Sequence, residues 1–247
     1  MDGISSNRQD MGSGNALLAA LPDEARGQLI NGSGVVHLPQ KRILWEPGRP
    51  SDHVYFPLSG VISLVTVMRD GDMVEIATVG REGMAGLHHF LGSAAMPNVQ
   101  AISQVAGDSV QVDGHVFRQA SASPGPLHEL MERYALVLQV AMAQEVACNR
   151  LHPLEMRCAR WLLTTREQVG SDEFGLTQEF LSEMLGVRRA TVTIAAGMLQ
   201  KAGLIRYRRG WIEILDVPGL GEAACECQAV IHEEYERFLA EVGTHGG

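Results

Sequence analysis

The chain has 247 residues, enough for two domains with separate cores, and 45% of them are hydrophobic. No apolar run approaches the roughly 20 residues of a membrane-crossing helix, so we do not expect a membrane protein. The formal net charge of −9 excludes a protein that is basic throughout, and any nucleic-acid surface must therefore be a local patch.

Residues 1–15 are polar and glycine-rich and lack the apolar core of a secretion signal. We therefore expect a disordered tail and a cytoplasmic protein. Residues 16–29 follow helical spacing, and Pro22 with Asp23 suits the opening of a short helix. A small lead helix is predicted.

Residues 16–125 are predicted to form an antiparallel β domain, because most of them are alternating or β-branched runs separated by glycine and proline. The clearest hairpin spans residues 61–79 around a turn at Asp70 and Gly71. Regular short strands favour a jelly roll or barrel.

Residues 83–92, GMAGLHHFLG, break this pattern with a short apolar helical segment. The amides at its N-terminus would point into the barrel and attract an anion, although a packed connector is an equal alternative. The candidate effector pocket consists of Arg81, Gly83, Met84, Ala85, Gly86, His88 and His89.

Residues 126–150 are predicted to be a long dimerisation helix, of which residues 126–149 span about 36 Å. Much of its surface is apolar, so we expect a second subunit and the β domain to cover it, with burial inside one subunit as the alternative. The positions near a heptad seam are Leu127, Leu130, Tyr134, Val137, Ala141 and Cys148.

Residues 151–247 are predicted to be a winged helix-turn-helix domain that begins at a hinge, Leu151-His152-Pro153. Thr177 can cap a first helix, Gly186 can end it, and a second helix covers about residues 188–202. The positions expected to face inward are Phe180, Leu181, Met184, Leu185, Val192, Ala195, Ala196 and Leu199.

The region from residue 185 to residue 212 carries basic residues and no acidic residue, which favours contact with a phosphate backbone. Gly210 permits a turn between two short strands, with Arg208 and Arg209 near its tip. A final helix is expected over about residues 220–242. The basic residues are Arg188, Arg189, Lys201, Arg206, Arg208 and Arg209.

Four cysteines, Cys148, Cys158, Cys225 and Cys227, are too few and too irregularly spaced for a disulfide framework or a CxxC zinc pair. We therefore expect free thiols and no metal site. Cys225 and Cys227 would face different sides of a helix, and oxidant sensing by these two thiols is the alternative.

In this order of elements the chain resembles the Crp/Fnr superfamily of bacterial transcription regulators, an α+β architecture of β-roll, dimer helix and winged helix-turn-helix. The resemblance rests on EPGRPSDHVYFPLSGVISL and LTQEFLSEMLGVRRATVTIAAGMLQKAGLI. It implies a homodimer whose two recognition helices, about 34 Å apart, read a two-fold symmetric site in double-stranded DNA. RNA polymerase is a further candidate partner.

The resemblance also implies roles for single residues. Thr177 and Gln178 match phosphate contacts, and Arg189 is the strongest candidate base reader because arginine can bond guanine O6 and N7 together. Ala190 and Ile194 depart from the cyclic-AMP-dependent members, so a different operator is expected. The predicted DNA-binding residues are Thr177, Gln178, Arg188, Arg189, Thr191, Thr193, Arg208 and Arg209.

The sensor departs further from the nucleotide-binding members. Met84 replaces their ribose-binding glutamate, and residues 96–103 offer no arginine or serine at the spacing that holds the phosphate, which disfavours a cyclic nucleotide. The absence of cysteine before Cys148 excludes the family's N-terminal iron–sulfur cluster. Haem stays open through His88 or His89, but adjacent helical residues point about 100° apart, so at most one could face it.

Three functions therefore compete: a regulator with an unidentified small effector other than cyclic AMP, a regulator whose sensor has lost its ligand, and a cupin-like metalloenzyme. The enzyme is disfavoured because the histidines lack the HxH spacing of a jelly-roll metal site, and no triad, P-loop or dinucleotide motif occurs. The histidines considered are His37, His53, His88, His89 and His115.

Overall fold

The computed structural model describes residues 14–243, and most of the predicted tail, residues 1–13, lies outside the described residues. Asn15, which the tail prediction includes, is buried and accepts hydrogen bonds from the Leu17 and Leu18 amides. It thereby caps helix α1 (Ala16–Ala20). Helix α2 (Asp23–Ile30) follows Pro22, so the lead segment forms two short helices.

Two antiparallel sheets form the β domain, with strand orders β1-β7-β3 and β2-β6-β4-β5. The predicted hairpin is confirmed as β4 paired with β5, and its turn includes Gly71 at a φ of 92°. Buried and half-buried positions alternate along β5, which is the pattern that the sequence predicted. The strands are β1 (Gly34–Leu38), β2 (Ile43–Trp45), β3 (His53–Pro57), β4 (Val61–Val67), β5 (Met73–Val79), β6 (Val99–Val105) and β7 (Gly107–Asp113).

The helical segment predicted over residues 83–92 is only a three-residue 3-10 turn, Leu87–His89. Gly86 precedes it at a φ of 110°, and a side chain there would meet the Val54 side chain at 2.8 Å. So short a turn offers no helix N-terminus for an anion, and the segment is the packed connector that the sequence left as an alternative.

Three helices link the β domain to the C-terminal domain: α3 (Gly114–Ser121), α4 (Pro126–Leu151) and α5 (Leu154–Val169). The chain leaves helix between α4 and α5 at His152 and Pro153, where the sequence predicts a hinge. No helix among residues 14–243 is both long and apolar enough to cross a membrane.

Helix α4 exposes a different face from the one the heptad pattern indicated. The predicted seam residues, such as Leu130, Tyr134 and Val137, are buried within this chain, in the core of the β domain. The apolar residues that stay exposed lie on another face and include Leu136 and Val146, at 58% and 69% exposure. The assignment of the seam was therefore wrong, because one apolar face packs inside the subunit.

The C-terminal domain packs two helices and three strands into a winged helix-turn-helix, followed by two further helices. The single final helix predicted over residues 220–242 is wrong, because the chain breaks helix between Ala223 and Cys227. The elements are β8 (Glu173–Gly175), α6 (Gln178–Leu185), α7 (Arg189–Lys201), β9 (Ile205–Arg208), β10 (Trp211–Ile214), α8 (Val217–Ala223) and α9 (Cys227–Gly243).

The two domains share a buried junction. Val65 and Ile102 of the four-stranded sheet belong to the core that is otherwise built from the C-terminal domain. Trp161 Nε1 donates to Glu75 Oε1 at 2.8 Å, and Gln104 Nε2 donates to Thr165 Oγ1 at 2.8 Å. The helix-turn-helix is therefore docked on the β domain through both apolar and polar contacts.

Candidate nucleic-acid interface and effector pocket

The helix-turn-helix forms for local reasons that the sequence already contains. The Thr177 hydroxyl accepts a hydrogen bond from the Phe180 amide and caps α6, while Gly186 ends it in the left-handed region at a φ of 63°. Helix α7, the recognition helix, then buries Val192, Ala195, Ala196 and Leu199, and the predicted inward face is confirmed.

The start of the recognition helix is open to solvent. Arg188, Arg189, Thr191 and Thr193 are exposed, and no acidic side chain occurs between residues 185 and 212. Thr193 Oγ1 donates to Gln178 Oε1 at 2.8 Å, which ties the recognition helix to the half-buried start of α6. Two of the predicted DNA-contacting residues therefore also fix the angle between the helices.

The wing presents Arg208 and Arg209 at the tip of the β9–β10 hairpin, as predicted. Arg209 and Gly210 both adopt positive φ, 46° and 84°, the conformation of the tightest hairpin turns. Arg206 is paired with Glu213 at 2.5 Å, so its charge is partly neutralised. The two tip arginines are both exposed.

Sequence reasoning missed the exposed apolar residues of this surface. Trp211 on the wing and Ile194 on the recognition helix are 60% and 66% exposed, and Met198 lies one turn beyond Ile194. The position of Trp211 beside the arginine run was the signal that could have found it. Such side chains can contact a thymine methyl group or a sugar, which charged residues cannot do.

Four neighbouring residues of the predicted effector pocket are packed inside the protein. Gly83, Met84, Ala85 and Gly86 are buried, and the Tyr134 hydroxyl donates to the Met84 carbonyl at 3.0 Å and accepts from the Met84 amide at 3.1 Å. A side chain at Gly83 would meet that hydroxyl at 2.5 Å. Helix α4 therefore packs closely against this segment through Tyr134.

His88 and His89 are both buried and lie side by side. Their ring centroids lie 4.6 Å apart, and Trp45 packs edge-on against His88 at 5.1 Å. Burial, with a smaller effect from His89, lowers the pKa of His88 to about 4, which keeps it neutral. Neither Nε2 atom has a hydrogen-bond partner among the described residues.

A cavity of about 430 Å³ lies elsewhere, between β5, α4, α5 and α9. Arg81 is the member of the predicted effector set that lines it, together with Glu145, Arg160 and Tyr235. Arg160 forms a buried ion pair with Glu145 at 2.6 Å on its wall. The cavity therefore lies where elements of both domains meet.

The cysteines are arranged differently from the sequence expectation. All four are buried free thiols. The break between α8 and α9 brings Cys225 and Cys227 to the same place, beside Cys148 and His152, and the four ligand atoms lie within 4.8 Å of one another. The prediction that Cys225 and Cys227 face different sides of a helix assumed an unbroken helix there, and the helix is interrupted between Ala223 and Cys227.

Comparisons with known proteins divide the chain in the same way. Residues 35–123 match the model of the cyclic nucleotide-binding domain, and residues 156–223 match that of the Crp-like helix-turn-helix domain. The transcriptional regulator SdrP of Thermus thermophilus is 27% identical over 190 residues, which cover 72% of this chain and 86% of SdrP.

Solved structures show the same fold. A transcriptional regulator described as of the Crp/Fnr family, from Eubacterium rectale, gives a TM-score of 0.67 at 17% identity and covers 84% of this chain and 96% of that one. A Crp/Fnr-family transcriptional regulator from Thermus thermophilus gives a TM-score of 0.62 at 22% identity, with 77% of this chain and 98% of that one covered.

Proposed function

The chain is a member of the Crp/Fnr family of transcription regulators, and on that premise we propose that it acts in the cytoplasm as a homodimeric, sequence-specific DNA-binding regulator, with RNA polymerase as a further partner. A small effector other than cyclic AMP controls it. The observation that carries the proposal is the exposed, basic start of α7 beside the arginine-tipped wing.

Arg189 is proposed as the principal base reader. It is the first residue of α7, is exposed, and makes no ion pair among the described residues. Its guanidinium can bond two acceptors of one guanine, while Thr177, Gln178, Arg208 and Arg209 hold the phosphate backbone. Arg188, Thr191 and Thr193 complete the contact surface at the start of the helix.

The dimer is supported by the exposed face of α4. Leu136, Val140, Ala143 and Ala147 follow spacings of four, three and four residues, which place them on one side of a helix. Of these, Leu136 and Ala143 are exposed and the other two are half-buried. A second copy packed along this stripe would cover it and bring two recognition helices into one assembly.

The effector is proposed to lie outside the family's nucleotide-binding segment. Tyr134 and Met84 fill that segment, and Met84 offers no carboxylate to a ribose. The 430 Å³ cavity is of the size that small ligands occupy, and its walls offer both Arg81 and Glu145. Haem is disfavoured because Trp45 and His89 pack against the buried His88 ring.

A regulator without a ligand is the second candidate, because residues 83–86, where family members bind their nucleotide, are buried against Tyr134. Native mass spectrometry of gently purified protein, followed by a thermal-shift screen of metabolites, separates the two candidates. A reproducibly bound small molecule would eliminate the ligand-free version. No bound molecule and no shift would eliminate the effector.

DNA recognition is tested by selection of binding sites from random duplexes with the purified full-length chain. We expect enrichment of one two-fold symmetric sequence. Enrichment of unrelated sequences, or equal binding to competitor DNA at every salt concentration, would overturn the proposal.

The dimer is tested by sedimentation of Leu136→Asp beside a matched control, Leu91→Asp. Only the Leu136→Asp dimer should dissociate, since Leu91 is exposed outside α4.

A further inference from the structure

Four residues with metal-binding side chains converge where α4, the hinge and the C-terminal helices meet. Cys148 lies in the last turn of α4, and His152, the residue that caps this helix end, donates its backbone N–H to the Cys148 carbonyl. Cys225 lies in the break between α8 and α9, and Cys227 is the first residue of α9. The three cysteines are buried and the histidine is half-buried.

Two of the distances between these ligand atoms are close to those around a single tetrahedral ion. Cys148 Sγ and Cys225 Sγ are 3.5 Å apart, and Cys227 Sγ lies 3.4 Å from His152 Nδ1. Around a zinc ion with Zn–S and Zn–N bonds of about 2.3 and about 2.0 Å, tetrahedral geometry gives S–S and S–N separations of about 3.8 and about 3.5 Å. All four ligand atoms lie within 4.8 Å of one another. We propose that Cys148, His152, Cys225 and Cys227 bind one Zn²⁺.

The donor set favours zinc over other metal centres. Three thiolates and one imidazole form a soft, closed set of the kind used in structural zinc sites, whereas calcium and magnesium require oxygen ligands. An iron–sulfur cluster spreads its ligands over several irons and needs sulfurs further apart than these. Loading releases up to three protons, one from each thiol, and no electron is transferred.

The surroundings suit a thiolate-rich site. Gln144 Nε2 donates to Cys227 Sγ at 3.1 Å, the kind of outer contact that orients a ligand. Arg157 and Arg160 interact electrostatically with Cys148 and Cys225, so they offset the negative charge that three thiolates leave on a zinc complex.

The proposed zinc site lies where the two domains are connected, so a bound ion would also stabilise that connection. His152 directly follows the last residue of α4, and Arg157, one turn into α5, donates to the Leu185 carbonyl at the end of α6. Zinc bound here would fasten the start of α9 to the hinge between the sensor and the helix-turn-helix. It would act as a clamp on the connection between the two domains.

Zinc binding is measured on the reduced, chelator-stripped full-length protein by titration against a chromophoric competitor, with cobalt as a spectroscopic substitute. We expect one ion per chain and a cobalt–thiolate absorption band. His152→Gln and Cys225→Ser should weaken binding more than about 100-fold, and Gln144→Ala by roughly 10- to 100-fold. Cys158→Ser is the matched control, since Cys158 is buried but lies in another core, and its affinity should be unchanged.

Circular dichroism checks that each variant folds, and His152→Gln, at a half-buried helix end, keeps the test valid should Cys225→Ser unfold. Zinc bound as tightly by His152→Gln as by the wild type would place the ion elsewhere and overturn the proposal. So would a reduced wild type that takes up no zinc, including one that forms only a Cys148–Cys225 disulfide.

Discussion

The recognition helix and the effector segment, residues 81–89, were both predicted as binding sites, but the start of the helix is exposed and most of the segment is buried. Arg189, Thr191 and Thr193 are exposed on a helix whose other face is core. Met84, His88 and His89 are themselves core. A surface site follows from local helix signals, whereas a pocket depends on which distant parts of the chain pack against it.

The largest effect is expected from a substitution in the effector segment. Met84 is fully buried, so Met84→Ala should lower the free energy of unfolding by about 2 to 5 kcal/mol through lost packing and a cavity. Met68→Ala is the control, because Met68 is 57% exposed and should change stability by less than about 0.5 kcal/mol. Urea denaturation measures the free energy of unfolding of both variants. Equal losses would show that Met84 contributes no more to the core than an exposed methionine does.

The junction between the two regions should make stability depend on pH. Burial raises the pKa of Glu75 from 4.5 to about 8, with a smaller rise from Glu145, so the folded state keeps this carboxyl protonated where the unfolded chain ionises it. The contribution of this raised pKa to the free energy of unfolding is complete below pH 4.5. It is lost as the pH rises to about 8, by about 1.4 kcal/mol per pH unit.

Glu75→Gln tests that dependence, because glutamine keeps an acceptor for the Trp161 N–H and does not titrate. Denaturation between pH 5 and pH 8 should show a flatter stability profile for the variant than for the wild type. Profiles of equal slope would mean that Glu75 is ionised in the folded protein.

A substitution in the recognition helix should leave stability unchanged and weaken DNA binding. Arg189→Ala should weaken binding to the selected site by about 1 to 3 kcal/mol and relax the preference at one base pair. Fluorescence anisotropy at fixed salt measures this, with Arg49→Ala, an exposed arginine between β2 and β3, as the control. An unchanged sequence preference would assign base reading to another residue.

The smallest effect is expected from the wing. Arg208→Ala should weaken binding to all sequences alike, because a phosphate contact carries no base information, and should reduce the salt-dependence slope by about 1. Binding titrations over a range of salt concentrations measure the slope. A sequence-dependent loss would move Arg208 from the backbone contacts to the base readers.

The winged helix-turn-helix was predictable because its signals are local. Thr177 caps its own helix and Gly186 takes a positive φ, and both features follow from residue type and spacing. The antiparallel β domain followed from alternation in the same way. Those features need no knowledge of distant parts of the chain.

What the sequence hid depends on contacts between distant residues. Tyr134 lies 50 residues from Met84, and nothing in the heptad pattern of α4 indicated that its hydroxyl would fill the effector segment. Cys148 and Cys225 are 77 residues apart, and they meet because α8 and α9 are separate helices. Their placement is a tertiary result that spacing alone does not contain.

Hydroxyl-radical footprinting of the wild-type protein on its selected DNA site tests whether one homodimer reads two symmetric half-sites. Two recognition helices in one homodimer should protect two half-sites whose centres are about 34 Å apart, one turn of the duplex. We expect two symmetric protected segments at that spacing, both weakened by Arg189→Ala. A single protected segment, or protection that does not depend on sequence, would contradict it.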